Sequence, residues 1–280
     1  MTPVKAFAPA KINLALHVTG QRPDGYHLLD SLVVFADIGD RLRVRVADEP
    51  ALKVDGPMAA GVPVDGQNLV MKAADLMGVS AAIHLEKRLP NAAGLGGGSS
   101  DAAAVLRGLH DITGQPFPNT TALSRLGADV PACMQPHAAR MRGVGEDISP
   151  VPGLPALHAV LVNPGLPVMT QEVFANLTKR DNPPMPDVLP DFASDTQFIE
   201  WLAGMRNDLE APAMAAHPLI AQVFDKLKVT PGCLLARMSG SGGTCFGLYG
   251  DAETAASAAG RLKQANSGWW VVVTRLNAAN

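Results

Sequence analysis

The chain has 280 residues, 47% of them hydrophobic and 18% charged, with a formal net charge of −3. That balance belongs to a folded globular protein rather than a disordered one, and it lacks the basic surface that a nucleic-acid-binding protein needs. No apolar run approaches the ~20 residues that cross a bilayer, so neither nucleic acid nor membrane is an expected partner.

The N-terminal stretch has no charged region followed by an apolar one, so no secretory leader is expected. Ile12, Leu14, Leu16 and Val18 alternate with Lys11, Asn13, Ala15 and His17, the period of a half-buried strand, with Lys11 and Asn13 on one face. Turn chemistry over Thr19–Gly25 leads into a second apolar run from Tyr26 through Phe35, and Arg41–Val46 alternates again with its basic residues toward solvent. After a loop at Gly56–Asn68, a helix from Asn68 runs until Gly78 stops it. Ile83 and Leu85 then mark a strand, and Ala102, Val105, Leu106 and Leu109 mark the apolar stripe of a helix that ends at Gly114.

A short helix over Thr121–Leu126 precedes Gly127–Pro131, where Pro131 biases Val130 toward extended backbone and holds Asp129 on a bend. Ala138–Val144 reads as a strand and Val151–Pro155 as a linker. Beyond it come a strand at Leu157–Val162, a helix at Thr170–Leu177, a proline-rich loop at Asp181–Asp191, and helices at Phe198–Met205 and Asp208–Leu227. Strands at Leu234–Met238 and Thr244–Tyr249 flank Ser239–Gly243, and a helix near Ala252–Lys263 and a strand at Trp269–Leu276 close the chain. The expected organisation is α+β in two domains, residues 1–154 and 155–280. Cys133, Cys233 and Cys245 are odd in number and match neither a zinc site nor a CxxC pair, so they read as reduced thiols of a cytoplasmic protein.

Leu89–Asp101, between strand and helix, carries Gly94, Gly96, Gly97 and Gly98. Glycines there let several N–H groups turn toward one point, where they add to the positive end of the following helix to make an anion site, most often for phosphate. Ser99 or Ser100 is the candidate N-cap. A flexible loop closed by an N-cap is the alternative. The spelling excludes a P-loop, for no lysine follows the glycines, and it excludes the dinucleotide fingerprint, whose third glycine is missing.

Three segments, in order, are similar to the motifs of the GHMP kinases: Pro9–Leu14 continued by Arg22–Leu28, then Pro90–Asp101, then Met238–Phe246. The resemblance covers nearly the whole chain. It implies a two-domain GHMP kinase fold with the active site in the interdomain cleft. ATP is the implied co-substrate, with its phosphates on Gly94, Leu95, Gly96, Gly97, Gly98, Ser99 and Ser100. Pro90, Asn91, Ala92 and Ala93 line the approach, and Asn68, Leu69 and Lys87 lie near the adenosine. Asp129 is the implied base for the acceptor hydroxyl and Lys11 its electrostatic partner.

The Arg-Pro-Asp-Gly-Tyr-His spelling at 22–27 is similar to the branch whose small-molecule substrate is a cytidine diphosphate ester of methylerythritol, phosphorylated at its 2-hydroxyl on the non-mevalonate route to isoprenoids. In that reading Tyr26 stacks on the cytosine, His27 bonds it, and Asn13 and Thr170 contact the erythritol and diphosphate. Mg²⁺ enters with ATP; its ligands are not specified, with Ser99 or Ser100 as neighbours. Gly240, Gly242 and Gly243 bring backbone close to the site.

By residue chemistry alone the same positions have plainer readings. Asn68 and Thr170 read as helix caps, Lys87 and Lys11 as solvated strand lysines, Asp129 as a loop cap, Tyr26 as a core residue, His27 as a strand-start residue, and the 240–243 glycines as a tight connection. Another GHMP kinase, acting on homoserine or mevalonate, and a nucleotide-binding relative without catalysis are the competing functions. Two departures from the family spelling stand out. Asn91-Ala92 replaces the common Met-Gly, and Gly243 stands where Pro or Ala is common.

Overall fold

A computed structural model describes residues 2–278. The chain divides into two compact units, each assembled from separate segments: Met1–Lys11, Ile38–Asn91 and Gly96–Pro136 in the first, and Ile12–Asp37, Ala92–Leu95 and His137–Asn280 in the second. This differs from a single cut after residue 154, because the chain changes units inside its two longest strands, β1 (Val4–Gln21) and β2 (His27–Val46).

In the first unit the C-terminal half of β2 pairs antiparallel with β4 (Ala81–Glu86), from Arg41↔Glu86 to Val46↔Ala81. β4 in turn pairs parallel with β3 (Ala51–Asp55), a short strand that the sequence reading misses. Arg41, Arg43 and Arg45 face solvent as their alternation predicts, while Leu42 and Val44 are buried. α1 (Leu69–Leu76) and α2 (Gly97–Thr113) belong to this unit. The expected stripe on α2 is buried. α3 (Thr120–Leu126) and α4 (Val130–Met134) complete the unit. The sequence reading missed α4. Pro131 sits in its first turn, where a missing N–H costs nothing, so Val130 opens a helix instead of extending.

In the second unit the N-terminal half of β2 pairs with β5 (Ala139–Gly143), which pairs with β6 (Asp147–Pro150), another strand not expected from sequence. An antiparallel run of β10 (Trp270–Leu276), β7 (Leu157–Asn163), β9 (Cys245–Tyr249) and β8 (Cys233–Met238) shares the core of the unit with its helices. The helices are α5 (Thr170–Ala175), α6 (Asp195–Ala203), α7 (Glu210–Ala216), α8 (Pro218–Lys228) and α9 (Ala252–Ala265). The single helix expected over Asp208–Leu227 is two. Pro218 cannot donate to the preceding turn and crowds it, so the chain breaks at His217 and restarts with the proline in the first turn of α8. Among the described residues no helix is long and apolar enough to cross a membrane.

Candidate active site

α2 begins one turn earlier than its serines suggest. Gly96 is the N-cap, in the left-handed conformation (φ 62°) and with no side-chain cap, so Ser99 and Ser100 lie inside the first turn. The first helical bond runs from Ser100 N–H to the Gly96 carbonyl, which leaves the amides of Gly97, Gly98 and Ser99 ahead of the ladder. No acidic residue sits in that turn to compete for them. Unpaired amides at the positive end of a 17-residue helix are suited to receive an anion.

Lys11 and Asp129 meet beside it. Lys11 Nζ donates to Asp129 Oδ1 at 2.6 Å; the lysine is buried, whereas 33% of the aspartate side chain remains exposed. A Cβ added to Gly96 would lie 3.2 Å from Lys11 Cβ and 3.7 Å from Asp129 Oδ2, so the ion pair touches the residue from which α2 springs. The plainer readings of both residues are overturned here. Asp129 stands at the N-cap position of α4 yet makes no capping bond, and Lys11 is not solvated. Oδ1 is held by the lysine, and among the described residues no donor reaches Oδ2.

Of the other expected nucleotide residues, Leu69 and Lys87 lie beside the same turn. Leu69 Cδ1 would lie 3.5 Å from a Cβ on Gly98, and Ser99 Oγ 3.2 Å from one on Gly127. Asn68 caps α1 through Oδ1 to Val70 N and donates from Nδ2 to the Pro63 carbonyl, so its side chain serves the structural role its spelling suggested. Asn91 donates to the Met58 and Ala60 carbonyls at 3.2 Å each, and Ala93 is buried. Lys87 is not the solvated edge charge of its plainer reading. It is buried, and its ammonium donates to Asp101 Oδ2 at 2.8 Å and to Asp40 Oδ2. Burial alone would lower the Lys87 pKa, but Asp101 and Asp40 outweigh it and hold it raised. Burial pushes Asp101 up to about 7 against the pull of Lys87.

The second unit carries Asn13, Tyr26, His27, Thr170 and the loop segment Ala92–Leu95. Ser239 knots two of these together. Its Oγ accepts from the Asn13 amide at 3.1 Å and donates to the Gly94 carbonyl at 2.9 Å. Gly94 (φ 71°) has to be glycine there, since a Cβ would fall 2.3 Å from the Ser239 carbonyl oxygen. Asn13 Nδ2 donates to Ser31 Oγ at 2.8 Å while its buried Oδ1 has no partner. The His27 ring stacks on Phe174 with centroids 4.7 Å apart, and its buried Nε2 has no partner. Burial and then Arg180 lower the His27 pKa, which favours the neutral ring. Tyr26 is 65% exposed, which excludes the core reading. Thr170 caps nothing. Met169 holds the N-cap position of α5, and the Thr170 hydroxyl bonds Ser241 Oγ at 2.8 Å.

Ser239, Ser241 and Phe174 were not singled out from sequence. The signal for the serines was their alternation with glycine in Ser239–Gly243; the signal for Phe174 was its place one turn after Thr170. Asp40 is one of three aspartates in β2, and nothing in its neighbours set it apart.

Comparison with known proteins adds independent findings. The GHMP kinases N terminal domain profile matches residues 68–139 and the GHMP kinases C terminal profile residues 192–268. A 4-diphosphocytidyl-2-C-methyl-D-erythritol kinase from a strain of Cereibacter sphaeroides is 55% identical, over 97% of this chain and 99% of its own. One from Dinoroseobacter shibae is 57% identical, over 98% and 95%. A solved 4-(cytidine 5'-diphospho)-2C-methyl-D-erythritol kinase superposes with a TM-score of 0.79 at 34% identity, covering 99% of this chain and all of that one (100%). A homoserine kinase from Cytophaga hutchinsonii superposes at 0.65 with 18% identity over 98% and 95%, which speaks for the fold alone.

Proposed function

The chain belongs to the GHMP kinase family, and from that membership we propose that it transfers the γ-phosphoryl group of ATP to the 2-hydroxyl of 4-diphosphocytidyl-2-C-methyl-D-erythritol. The observation that carries this is the Lys11–Asp129 pair in contact with Gly96, at the mouth of a helix whose first amides are free. Among GHMP acceptors, the substrate assignment is supported by relatives of that name at over 50% identity across nearly the full chain.

The triphosphate is received by the amides of Gly97, Gly98 and Ser99, with Leu69 and Asn68 toward the adenosine. Pro90, Asn91, Ala92 and Ala93 border the approach. Lys87 belongs to the same nucleotide set through its place beneath Gly97. Asp129 Oδ2 takes the proton of the alcohol as its oxygen bonds to the γ-phosphorus and ADP departs, while Lys11 balances charge spreading over the phosphoryl oxygens. On the acceptor side Tyr26 and His27 hold the cytosine, and Asn13 and Thr170 the remainder of the substrate. A neutral His27 with an open Nε2 suits a base edge.

Mg²⁺ fits as part of the nucleotide. Among the described residues no three metal-binding side chains cluster, but Mg²⁺ bound to phosphates keeps its waters and takes only one or two protein oxygens. Ser100 Oγ, fully buried and without a hydrogen-bond partner, is the oxygen that suits it. When bound there the ion neutralises charge on the β- and γ-phosphates. Three free cysteines support residence in the cytoplasm.

The test is ADP release with the cytidyl alcohol, homoserine and mevalonate in parallel. Turnover is expected with the cytidyl alcohol alone, and turnover of either other alcohol at a comparable rate overturns the substrate assignment. Asp129→Asn and Lys11→Ala are expected to lower kcat by ~10² or more with the melting temperature retained; near-normal turnover in either variant removes these residues from the mechanism.

A further inference from the structure

Asp40, Lys87 and Asp101 form a charged cluster that the transfer chemistry does not use. All three are buried, at 0%, 3% and 3% exposure. Burying three ionisable groups is a poor way to gain stability, since desolvation offsets most of the attraction. Their contacts indicate what they hold in place.

Asp40 makes two kinds of bond. Its Oδ2 accepts from the Lys87 ammonium, and its Oδ1 accepts from the amides of Arg88 (2.5 Å) and Leu89 (2.9 Å), which fixes the turn leading out of β4 into the glycine loop. Lys87 is anchored at both ends, for its own N–H donates to the Asp55 carbonyl at 2.7 Å and its carbonyl accepts from Met58 N–H at 3.1 Å. The ammonium lies directly under the first residue of α2. A Cβ on Gly97 would come 3.6 Å from Lys87 Nζ and 3.8 Å from both Asp40 Oδ2 and Leu89 Cδ1. Asp101, one turn into α2, ties the same ammonium to the helix. The cluster thus joins the turn before the glycine loop to the helix after it.

We propose that Asp40, through Lys87 and the Arg88–Leu89 amides, is the positioning residue that sets the first amides of α2 for the nucleotide phosphates, with Asp101 as its counterpart on the helix. The proposal rests on the kinase reading above. Asp40→Asn retains an oxygen for the two amides but sets an NH2 against the ammonium; Asp101→Asn loosens only the helix side.

The experiment measures the affinity for a fluorescent ADP analogue together with steady-state kinetics. Asp40→Asn is expected to weaken analogue binding and raise KM for ATP about tenfold, with kcat within about threefold and KM for the alcohol unchanged. Asp101→Asn is expected to show the same pattern at about three- to fivefold, and it carries the test should Asp40→Asn not fold. A merely structural role predicts a lower melting temperature with both KM values unmoved. That result, or KM values for ATP and alcohol rising together, overturns the proposal. A wild-type protein that binds no ADP analogue at all would instead remove the kinase reading, and this inference with it.

Discussion

Ala92 adopts a left-handed backbone (φ 47°), a conformation that costs an alanine ~1–2 kcal/mol relative to glycine. Its neighbour in space is Gly243 (φ 88°), where an added Cβ would fall 3.0 Å from Ala93 Cα and 3.3 Å from the Ala92 carbonyl oxygen. The two departures from the family spelling are therefore one local arrangement: a side chain is present on the loop side and absent on the opposing side. Ala92→Gly is expected to stabilise the protein by roughly 0.5–1 kcal/mol, the relief of strain less the added freedom of the unfolded chain. A urea denaturation midpoint moving downward would contradict this. The sequence displayed both unusual residues, but nothing in it indicated that they touch, because they stand 151 positions apart in the chain.

For the elements, what the sequence disclosed depended on whether the signal was local. The apolar stripe of α2 and its stop at Gly114 were legible because periodicity and a left-handed C-cap are written in neighbouring residues. The start of α2 was not, since a left-handed glycine took the cap position that a serine usually fills. β1 was read as seven residues and spans 18, because Ala8–Val18 is buried throughout and alternation weakens where both faces are covered. Its polar residues Lys11, Asn13 and His17 are accordingly buried groups with assigned partners. The Asp40–Lys87–Asp101 cluster was illegible for a similar reason, its partners being 47 and 14 residues apart. The phosphate-binding role proposed for α2 has its own test. Gly98 is exposed, and a Cβ there meets only Leu69 Cδ1 at 3.5 Å, an ordinary contact. Gly98→Ala should leave the melting temperature unchanged or slightly higher, as alanine favours helix by ~0.5–1 kcal/mol, while the methyl obstructs the anion and raises KM for ATP about tenfold. An unchanged KM would mean that the phosphates lie elsewhere.

At the scale of the whole molecule, acid stability carries the mark of His17. Its Nε2 accepts from the Arg206 amide at 3.1 Å and its Nδ1 faces the Pro183 carbonyl at 3.1 Å, an arrangement that requires the neutral ring protonated at Nδ1. Burial and then Arg206 lower its pKa below the model-peptide value of 6.5. Between the folded value and 6.5 the unfolded chain binds more protons, so the contribution of neutral His17 is complete above about 6.5 and is lost as pH falls through the folded pKa. Asp101, raised to about 7, gives a slope of the opposite sign. It does so equally in wild type and variant, so their difference isolates the histidine. His17→Gln, which keeps a donor and an acceptor but does not titrate, is expected to flatten the loss of thermal stability between pH 7 and pH 5; parallel curves would exclude His17 as its source. The segmented units have a further consequence, for inheritance. Neither occupies one continuous stretch of the chain, and the crossings lie within β1 and β2, on either side of residues 92–95 and after Pro136. A single genetic crossover between two relatives therefore cannot exchange one whole unit and spare the other.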